Sequence, residues 1–299
     1  MSLPRFHFAV LALAALAACS ATAAFAGPWA LAPGEYYTEL SGSTFSTSSY
    51  YDQEGVRSQS GGYYEQRGIT STTELGWKKA LSLQMSMPLL SNTARDVAGN
   101  SATSSGLGDF GLGLRYALKT GAVASALQFG WTAPAGYNRS LPPGLGTGLQ
   151  RLEASFEMGM PIAKVGFAQG GAGWAYDFYK FGSRASDTDT SKTESELEWS
   201  DHLLVHGAVG FWMGDLLVSG LYDGEIGRRG GHEAELTTTH LMGPRFVYRV
   251  DERLDAFAGS WHSPGGENVL HIDEFYAGVA WKLTKLNRLQ GFLGGSSRP

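Results

Sequence analysis

The stretch from Gly106 to Pro134, GLGDFGLGLRYALKTGAVASALQFGWTAP, decides the fold because its side chains alternate with a period of two. In its first half, Phe110, Leu112, Leu114, Tyr116 and Leu118 alternate with Asp109, Gly111, Gly113, Arg115 and Lys119. After a Lys-Thr-Gly reversal, Val123, Leu127, Phe129 and Trp131 alternate with small or polar residues. This period is typical of two extended strands joined by a tight turn. The second face is mostly Gly, Ala, Ser and Gln, which suits the interior of a barrel whose exterior meets lipid.

The N-terminus predicts a cleaved secretory signal peptide over residues 1–26. Arg5 precedes an apolar run from Phe8 to Ala18, and Ala24-Phe25-Ala26 is a small-x-small cleavage site. An alternative is a lipoprotein signal, because Leu16-Ala17-Ala18-Cys19 would place an acylated cysteine at the mature end. Cys19 is the single cysteine, so cleavage after Ala26 leaves no disulfide, thiol nucleophile or cysteine metal ligand.

Composition narrows the class of protein further. No later segment has the roughly 18 to 20 consecutive apolar residues of a membrane-spanning helix. The net charge is −5 and there is no basic run, which excludes a nucleic-acid partner. Glycine accounts for 41 of 299 residues and aromatics for 12%, as barrel curvature and interfacial girdles require. No cofactor is predicted.

The alternation predicts a transmembrane antiparallel up-and-down β-barrel of about 12 strands, occupying residues 27–283, with each strand near the ~9 to 11 residues that cross a bilayer. The predicted strands are 35–45, 63–77, 80–89, 107–118, 121–133, 149–160, 163–180, 197–212, 215–226, 235–250, 253–262 and 271–283.

Short and long connections alternate along the chain. The short ones lie at 77–80, 119–121, 161–163, 213–215 and 250–253, and the long ones at 46–62, 90–106, 134–148, 181–196, 227–234 and 263–270. Outer-membrane barrels have tight periplasmic turns and long outer loops, whereas a soluble sandwich has no reason to alternate so regularly.

Parity also assigns the outward face. The outward residues are Leu81, Leu83, Met85, Met87, Leu152, Phe156, Met158, Leu203, Val205, Val209, Phe211, Phe275, Val279, Trp281 and Leu283. Trp77, Trp131, Trp212 and Trp281 fall near strand ends, where an aromatic girdle places them.

Parity changes within 166–173, which predicts a bulge or close packing. Pro88 and Pro244 predict strand ends or bulges, since proline cannot donate a ladder hydrogen bond.

The last predicted strand, from Tyr276 to Leu283, resembles the carboxy-terminal signal read by the barrel-insertion machinery, which is therefore an expected partner during assembly. In that signal a glycine precedes alternating aromatic or apolar residues, as at Gly278 here. A tail of residues 284–299 follows, so a second position for the signal is near Phe292. The other expected partners are outer-membrane lipid and a small-molecule solute.

Gly106-Leu107-Gly108-Asp109 running into alternating Phe110 to Tyr116 resembles a family of Gram-negative outer-membrane proteins named after the meta-pathway of phenol degradation. The segments Gly34-Glu35-Tyr36-Tyr37 and Gly278-Val279-Ala280-Trp281 resemble it too. The likeness spans the mature chain. It implies a membrane barrel that takes up aromatic or other hydrophobic small molecules, and it supplies no functional residues to carry over.

Charged residues of both signs share the inward parity. They are Glu74, Asp109, Arg115, Arg151, Glu153, Glu157, His202, His206, Asp223, Glu225, Arg245, Arg249 and Glu274. One interpretation is a water-filled pathway whose opposed charges select solutes. The other is a plugged barrel whose interior charges pair with one another. A barrel of this size lies between filled and open examples, so both interpretations stand.

Two patterns that imitate metal sites are weak. His202 and His206 stand four residues apart, but on a strand they would be ~13 Å apart and one zinc ion cannot bridge them. The acidic loop from Asp187 to Glu198 imitates a calcium loop, yet Lys192 stands where that loop needs glycine. No metal site is therefore predicted.

Three functions are compatible with the sequence. The first is a passive channel for small solutes. The second is a structural or surface-interaction barrel whose loops 46–66 and 181–198 bind a partner. The third is a lipid-modifying enzyme, which is disfavoured because no Gly-x-Ser-x-Gly elbow or spaced triad emerges. His240 is the one strand histidine with outward parity, and no catalytic residue is predicted.

Overall fold

A computed structural model describes residues 28–137, 143–163, 165–178, 200–229 and 235–284. The predicted signal peptide, the acidic loop and all but the first residue of the C-terminal tail lie outside these ranges. Within them no helix is long and apolar enough to span a membrane.

The described residues form fourteen strand segments of one sheet. In chain order they are β1 Glu35–Tyr51, β2 Arg57–Lys78, β3 Leu81–Arg95, β4 Ser101–Leu107, β5 Asp109–Lys119, β6 Ala124–Pro134, β7 Gln150–Ile162, β8 Gly166–Phe178, β9 Ser200–Met213, β10 Leu216–Arg229, β11 Glu235–Arg249, β12 Leu254–Glu267, β13 Val269–Leu270 and β14 Asp273–Thr284.

The sheet closes on itself into an antiparallel barrel of twelve strand positions. β1 pairs with β2 on one side and with β14 on the other, for example Leu40 with Ser71 and with Val279. β4 and β5 share one position along β3, and β13 adds a short pairing to β1. Closure leaves no open edge, so the ladder satisfies the backbone groups that lipid cannot. The predicted fold class is confirmed.

The outer surface carries a continuous apolar belt. Phe275 is 66% exposed, and Leu152, Phe156, Val209 and Trp281 are also exposed on the same side of their strands. Most of the predicted outward residues appear in this belt. Of the four tryptophans predicted for the girdle, Trp212 is not on this surface, because it shares the inner face of β9 with His202 and stacks under the guanidinium of Arg249 at 4.6 Å.

Several strands are longer than predicted. β1 and β2 continue to a turn at residues 52–56, where the Asp52 carboxylate accepts the amide hydrogens of Glu54 and Val56. β3 and β4 likewise continue to a turn at 96–100. These segments are rich in Ser and Thr on both faces, so their composition resembled loops. Beyond the belt both faces of a hairpin meet water, and polarity no longer marks the end of a strand. The end with these long hairpins is called the hairpin end, and the opposite end is called the turn end.

The predicted irregularities have two outcomes. The register of β8 with β7 and with β9 is continuous, so 166–173 contains no bulge. It is instead closely packed, since a Cβ on Gly171 would collide with the His206 ring. Pro88 lies where β3 changes partner from β5 to β4. The ladder of β11 with β12 shifts just before Pro244, between His240 and Met242.

Candidate functional site: the barrel interior

Two ionic clusters and an aromatic wall fill much of the barrel interior. Their contacts join strands that are not neighbours, which places the side chains inside the ring. A cavity of about 180 Å³ lies among them.

The first cluster centres on Arg115, which is fully buried on β5. Its guanidinium donates to Glu74 of β2 at 2.6 Å and to Gln128 of β6 at 3.2 Å. Glu157 of β7 lies 3.9 Å from the guanidinium, and His206 of β9 lies 3.7 Å from Glu157. This group, the Arg115 cluster, ties five strand positions together across the lumen. Breaking such a buried pair from one side leaves an uncompensated charge.

The second cluster centres on Arg151 of β7. Its guanidinium lies 2.9 Å from Glu153, 3.6 Å from Asp177 and 3.0 Å from Glu225 of β10. His202 of β9 bridges two of these three carboxylates, with Nε2 3.0 Å from Asp177 and Nδ1 2.7 Å from Glu225. This group is called the Arg151 cluster.

The Arg151 cluster also contains the connectivity of a catalytic triad. The Ser200 hydroxyl lies 2.8 Å from Nε2 of His202, and Nδ1 faces Glu225. In a triad the imidazole must accept the serine proton at Nε2. Here Asp177 also faces Nε2, so the nitrogen that a triad reserves for the serine is shared with a second carboxylate. The outward His240 meets the hydroxyl of Tyr222 at 2.9 Å, and it has no serine or carboxylate partner among the described contacts.

The opposite wall of the lumen is apolar and aromatic. Leu221, Leu241, Phe257, Trp261 and Tyr276 pack together on the inner faces of β10, β11, β12 and β14. Arg245 of β11 stacks over the Phe257 ring at 4.2 Å and donates to Glu39 of β1 at 2.7 Å. Such stacking is the usual arrangement of a guanidinium on an aromatic face. The interior is therefore amphipathic, with charge on one side and aromatic rings on the other.

Residues 143–149, which directly precede β7, fold into the hairpin end of the lumen. The Asp109 carboxylate accepts hydrogen bonds from the Tyr137 hydroxyl, the Thr147 amide at 2.8 Å and the Thr147 hydroxyl at 3.2 Å. Asn92 donates to the Gly144 carbonyl at 2.6 Å. Residues 143–149 are called the inward loop, and Asp109 is its main anchor.

The turn end is partly covered by residues 28–33, called the N-terminal strap. The Leu31 amide donates to Ser82 at 3.2 Å, and Trp29 packs edge-on against Phe167. The strap passes over Gly76 and Gly159, where any Cβ would collide with Ala32 or with Pro28 and Trp29. Glycine at these positions thus gives the strap its room inside the ring.

The structure divides the sequence-predicted interior residues into three groups. Six border the cavity: Glu74, Asp109, Arg151, Glu153, Arg245 and Glu274. Six others lie on the inner face but away from the cavity border, most of them in the clusters: Arg115, Glu157, His202, His206, Asp223 and Glu225. Arg249 is exposed at the turn end beside Trp212.

Sequence reasoning missed several interior residues. Glu39 and Tyr37 border the cavity and Asp177 belongs to the Arg151 cluster, yet none was assigned to the interior. Asp177 was missed because parity in β8 was thought to change. The aromatic wall was missed because its side chains looked like ordinary core or girdle residues. The available signal was that Tyr276 of this wall has the same parity on β14 as Glu274, which was predicted to point inward.

No family model matches the chain, and no curated protein sequence matches it either. Solved structures do match. An outer-membrane channel from Pseudomonas putida F1 is 14% identical, with a TM-score of 0.67 over 85% of this chain and 97% of that one. The translocator domain of the autotransporter NalP from Neisseria meningitidis is 11% identical, with a TM-score of 0.51 over 91% and 97%. The NanC porin is 12% identical over 82% and 100%, at a TM-score of 0.46. The likenesses to the Pseudomonas channel and to the NalP translocator domain establish that the chain has the fold of an outer-membrane β-barrel.

Proposed function

We propose that the protein is a passive outer-membrane channel for small amphipathic solutes, with the turn end in the periplasm. The observation that carries the proposal is the cavity of about 180 Å³ between the aromatic wall and the charged residues. It is smaller than the ~300 Å³ at the lower end of small-molecule pockets. We therefore expect passage of small solutes and exclusion of larger ones. The aromatic class implied by the family resemblance fits the wall of Phe257, Trp261 and Tyr276.

The charges around the cavity favour cations. The carboxylates that border it are Glu39, Glu74, Asp109, Glu153 and Glu274, and the guanidiniums are Arg151 and Arg245. Rings or groups of carboxylates along a pathway favour cations over anions. The inward loop and the N-terminal strap narrow the pathway from its two ends, which supports a slow, selective channel.

Planar bilayers containing the purified protein test this function. Under a potassium chloride gradient, the sign of the reversal potential is expected to show that potassium passes more readily than chloride. A Glu39→Gln, Glu274→Gln double variant is expected to reduce that preference. Glu65→Gln is the matched control, because Glu65 lies on the outer face beside Arg67. Absence of both conductance and flux of small aromatic solutes in liposomes would rule out the channel.

A second candidate is a surface-interaction barrel. The observation in its favour is the ordered hairpin of β1 and β2, which continues beyond the apolar belt to Tyr51 and Arg57. Residues 46–66, which were predicted as a partner-binding loop, all belong to this hairpin. A chain shortened at residues 52–56 would keep its conductance and lose partner binding if this candidate holds.

A further inference from the structure

Three potential metal ligands meet at the hairpin end, outside the barrel interior. His262 of β12 lies directly opposite Asp273 at the start of β14, and His271 precedes Asp273 by two residues. Nδ1 of His262 lies 2.5 Å from one Asp273 oxygen, and Nδ1 of His271 lies 3.5 Å from the other. One ligand atom from each residue lies within 4.8 Å of the other two.

The cluster lies just beyond the apolar belt. The next outward residue on β14 is Phe275, which is 66% exposed and belongs to the belt. His262 and Asp273 are about half exposed. A cation and its remaining water ligands can therefore reach the cluster from the aqueous side.

His271 is the buried member, with an exposed fraction of 3%. Its Nε2 atom has no hydrogen-bond partner among the described residues. Nδ1, which lies 3.5 Å from Asp273, is the nitrogen of this ring that faces the cluster and that a cation would bind. The neutral ring would then carry its hydrogen on Nε2.

The backbone around the cluster is firmly held. The His271 amide donates to the Ser49 carbonyl at 3.1 Å, and the Ser263 amide donates to the Ile272 carbonyl at 2.9 Å. Ser263 also accepts the Ile272 amide at 2.8 Å. Tyr51 packs beside the His271 ring with centroids 5.8 Å apart. These contacts fix the segments that carry the three side chains.

We propose that His262, His271 and Asp273 bind one divalent transition-metal ion, with zinc the best match. Two imidazoles, one carboxylate and an open fourth position form the ligand set of open zinc sites. With metal–ligand bonds of about 2.0–2.2 Å, tetrahedral ligand atoms stand roughly 3.3 Å apart. The two nitrogen–oxygen separations in the structure, 2.5 Å and 3.5 Å, lie on both sides of that value. Small side-chain rotations are therefore sufficient to bring the ligand atoms into tetrahedral positions.

The ion would clamp the connection between β12 and β14 at the hairpin end. That connection contains β13, which pairs with Tyr50 and Tyr51 of β1. The clamp thus ties together three strands around the seam where the barrel closes. An ion that binds the folded barrel and not the unfolded chain raises the apparent thermal stability.

The test is zinc titration of the full chain in detergent, purified with an affinity tag that contains no histidine and stripped with chelator. We expect one zinc per chain by calorimetry and an upward shift of the thermal transition. His262→Ala, at a half-exposed position, is expected to weaken binding at least tenfold and to abolish the shift. Asp273→Asn should behave in the same way.

His240→Ala is the matched control because His240 lies on the outer face of β11, outside the cluster, and should leave zinc affinity unchanged. Cobalt absorption in the visible range provides a second readout, with tetrahedral bands expected in the wild type and lost in His262→Ala. Absence of saturable zinc binding, or equal affinity in the wild type and His262→Ala, would overturn the proposal. Zinc binding is measured without conductance, so failure of the channel function would leave this result intact.

Discussion

Replacing Asp109 by alanine is expected to release the inward loop from the lumen. Hydrogen bonds to the carboxylate come from the Tyr137 hydroxyl, the Thr147 amide and the Thr147 hydroxyl, three in the described part of the chain. Hydrogen bonds to a charged group contribute about 1.5–3 kcal/mol each, and bonds to one acceptor are not additive, so we take about 3–5 kcal/mol for the set. Because each 1.4 kcal/mol is a factor of ten, the fraction of released loop should rise roughly a hundredfold or more.

Hydrogen exchange followed by mass spectrometry measures this release directly. The amides of Thr147 and Gly148 are both protected through the anchor, the first by Asp109 and the second by Tyr137. Peptides spanning 143–149 should therefore exchange much faster in the Asp109→Ala variant. Single-channel conductance should increase in the same variant, since the loop narrows the hairpin end.

The matched control is Asp96→Ala. Asp96 also accepts hydrogen bonds from nearby groups, the amide and side chain of Asn100, and these bonds lower the pKa of its carboxyl. It lies in the exposed turn between β3 and β4, so exchange in 143–149 should not change. Unaltered exchange and conductance in Asp109→Ala would refute the role of Asp109 as the anchor.

Three further substitutions test the rest of the interior. Arg115→Met should lower the free energy of unfolding by about 3–5 kcal/mol, because it leaves Glu74 buried without its partner. Urea unfolding in micelles measures this loss, and adding Glu74→Gln should restore part of it. Gly76→Leu should displace Ala32 of the strap and increase conductance, whereas an unchanged conductance would show that the strap does not narrow the pathway. Trp261→Ala should cost about 3–5 kcal/mol and weaken binding of small aromatic solutes, which calorimetry can detect.

The strand pattern could be predicted from sequence because the two faces of each strand meet different media. Within the belt, lipid demands apolar side chains on one parity, and Leu83 and Phe156 show the clear alternation that follows. Beyond the belt both faces meet water and the signal is lost, which is why the prediction ends β1 too early and begins β2 too late. The parity of β8 was misjudged because Gly171 and Gly173 carry no side chain to show a face.

The interior assignment could be predicted only one residue at a time. Parity places Arg115 and Glu74 inside, but it does not show that they meet across β3. That contact depends on the register of three strands and on the curvature of the ring. The same holds for His262, His271 and Asp273, whose spacing of nine and two residues matches no common metal motif. They come together only because β12 and β14 pair with His262 opposite Asp273.

The position of the N-terminal strap has a consequence for how the barrel is assembled. The strap immediately precedes β1, and β1 forms the closing seam with β14. Ala32 and Trp29 rest against inner-face glycines of β2 and β7, which lie on the far side of that seam from β14. Once the ring is closed, the strap can enter the lumen only through the turn end, where Gly34 alone separates it from β1. Lengthening the link between strap and β1 should accordingly slow the last step of folding more than it weakens the finished barrel.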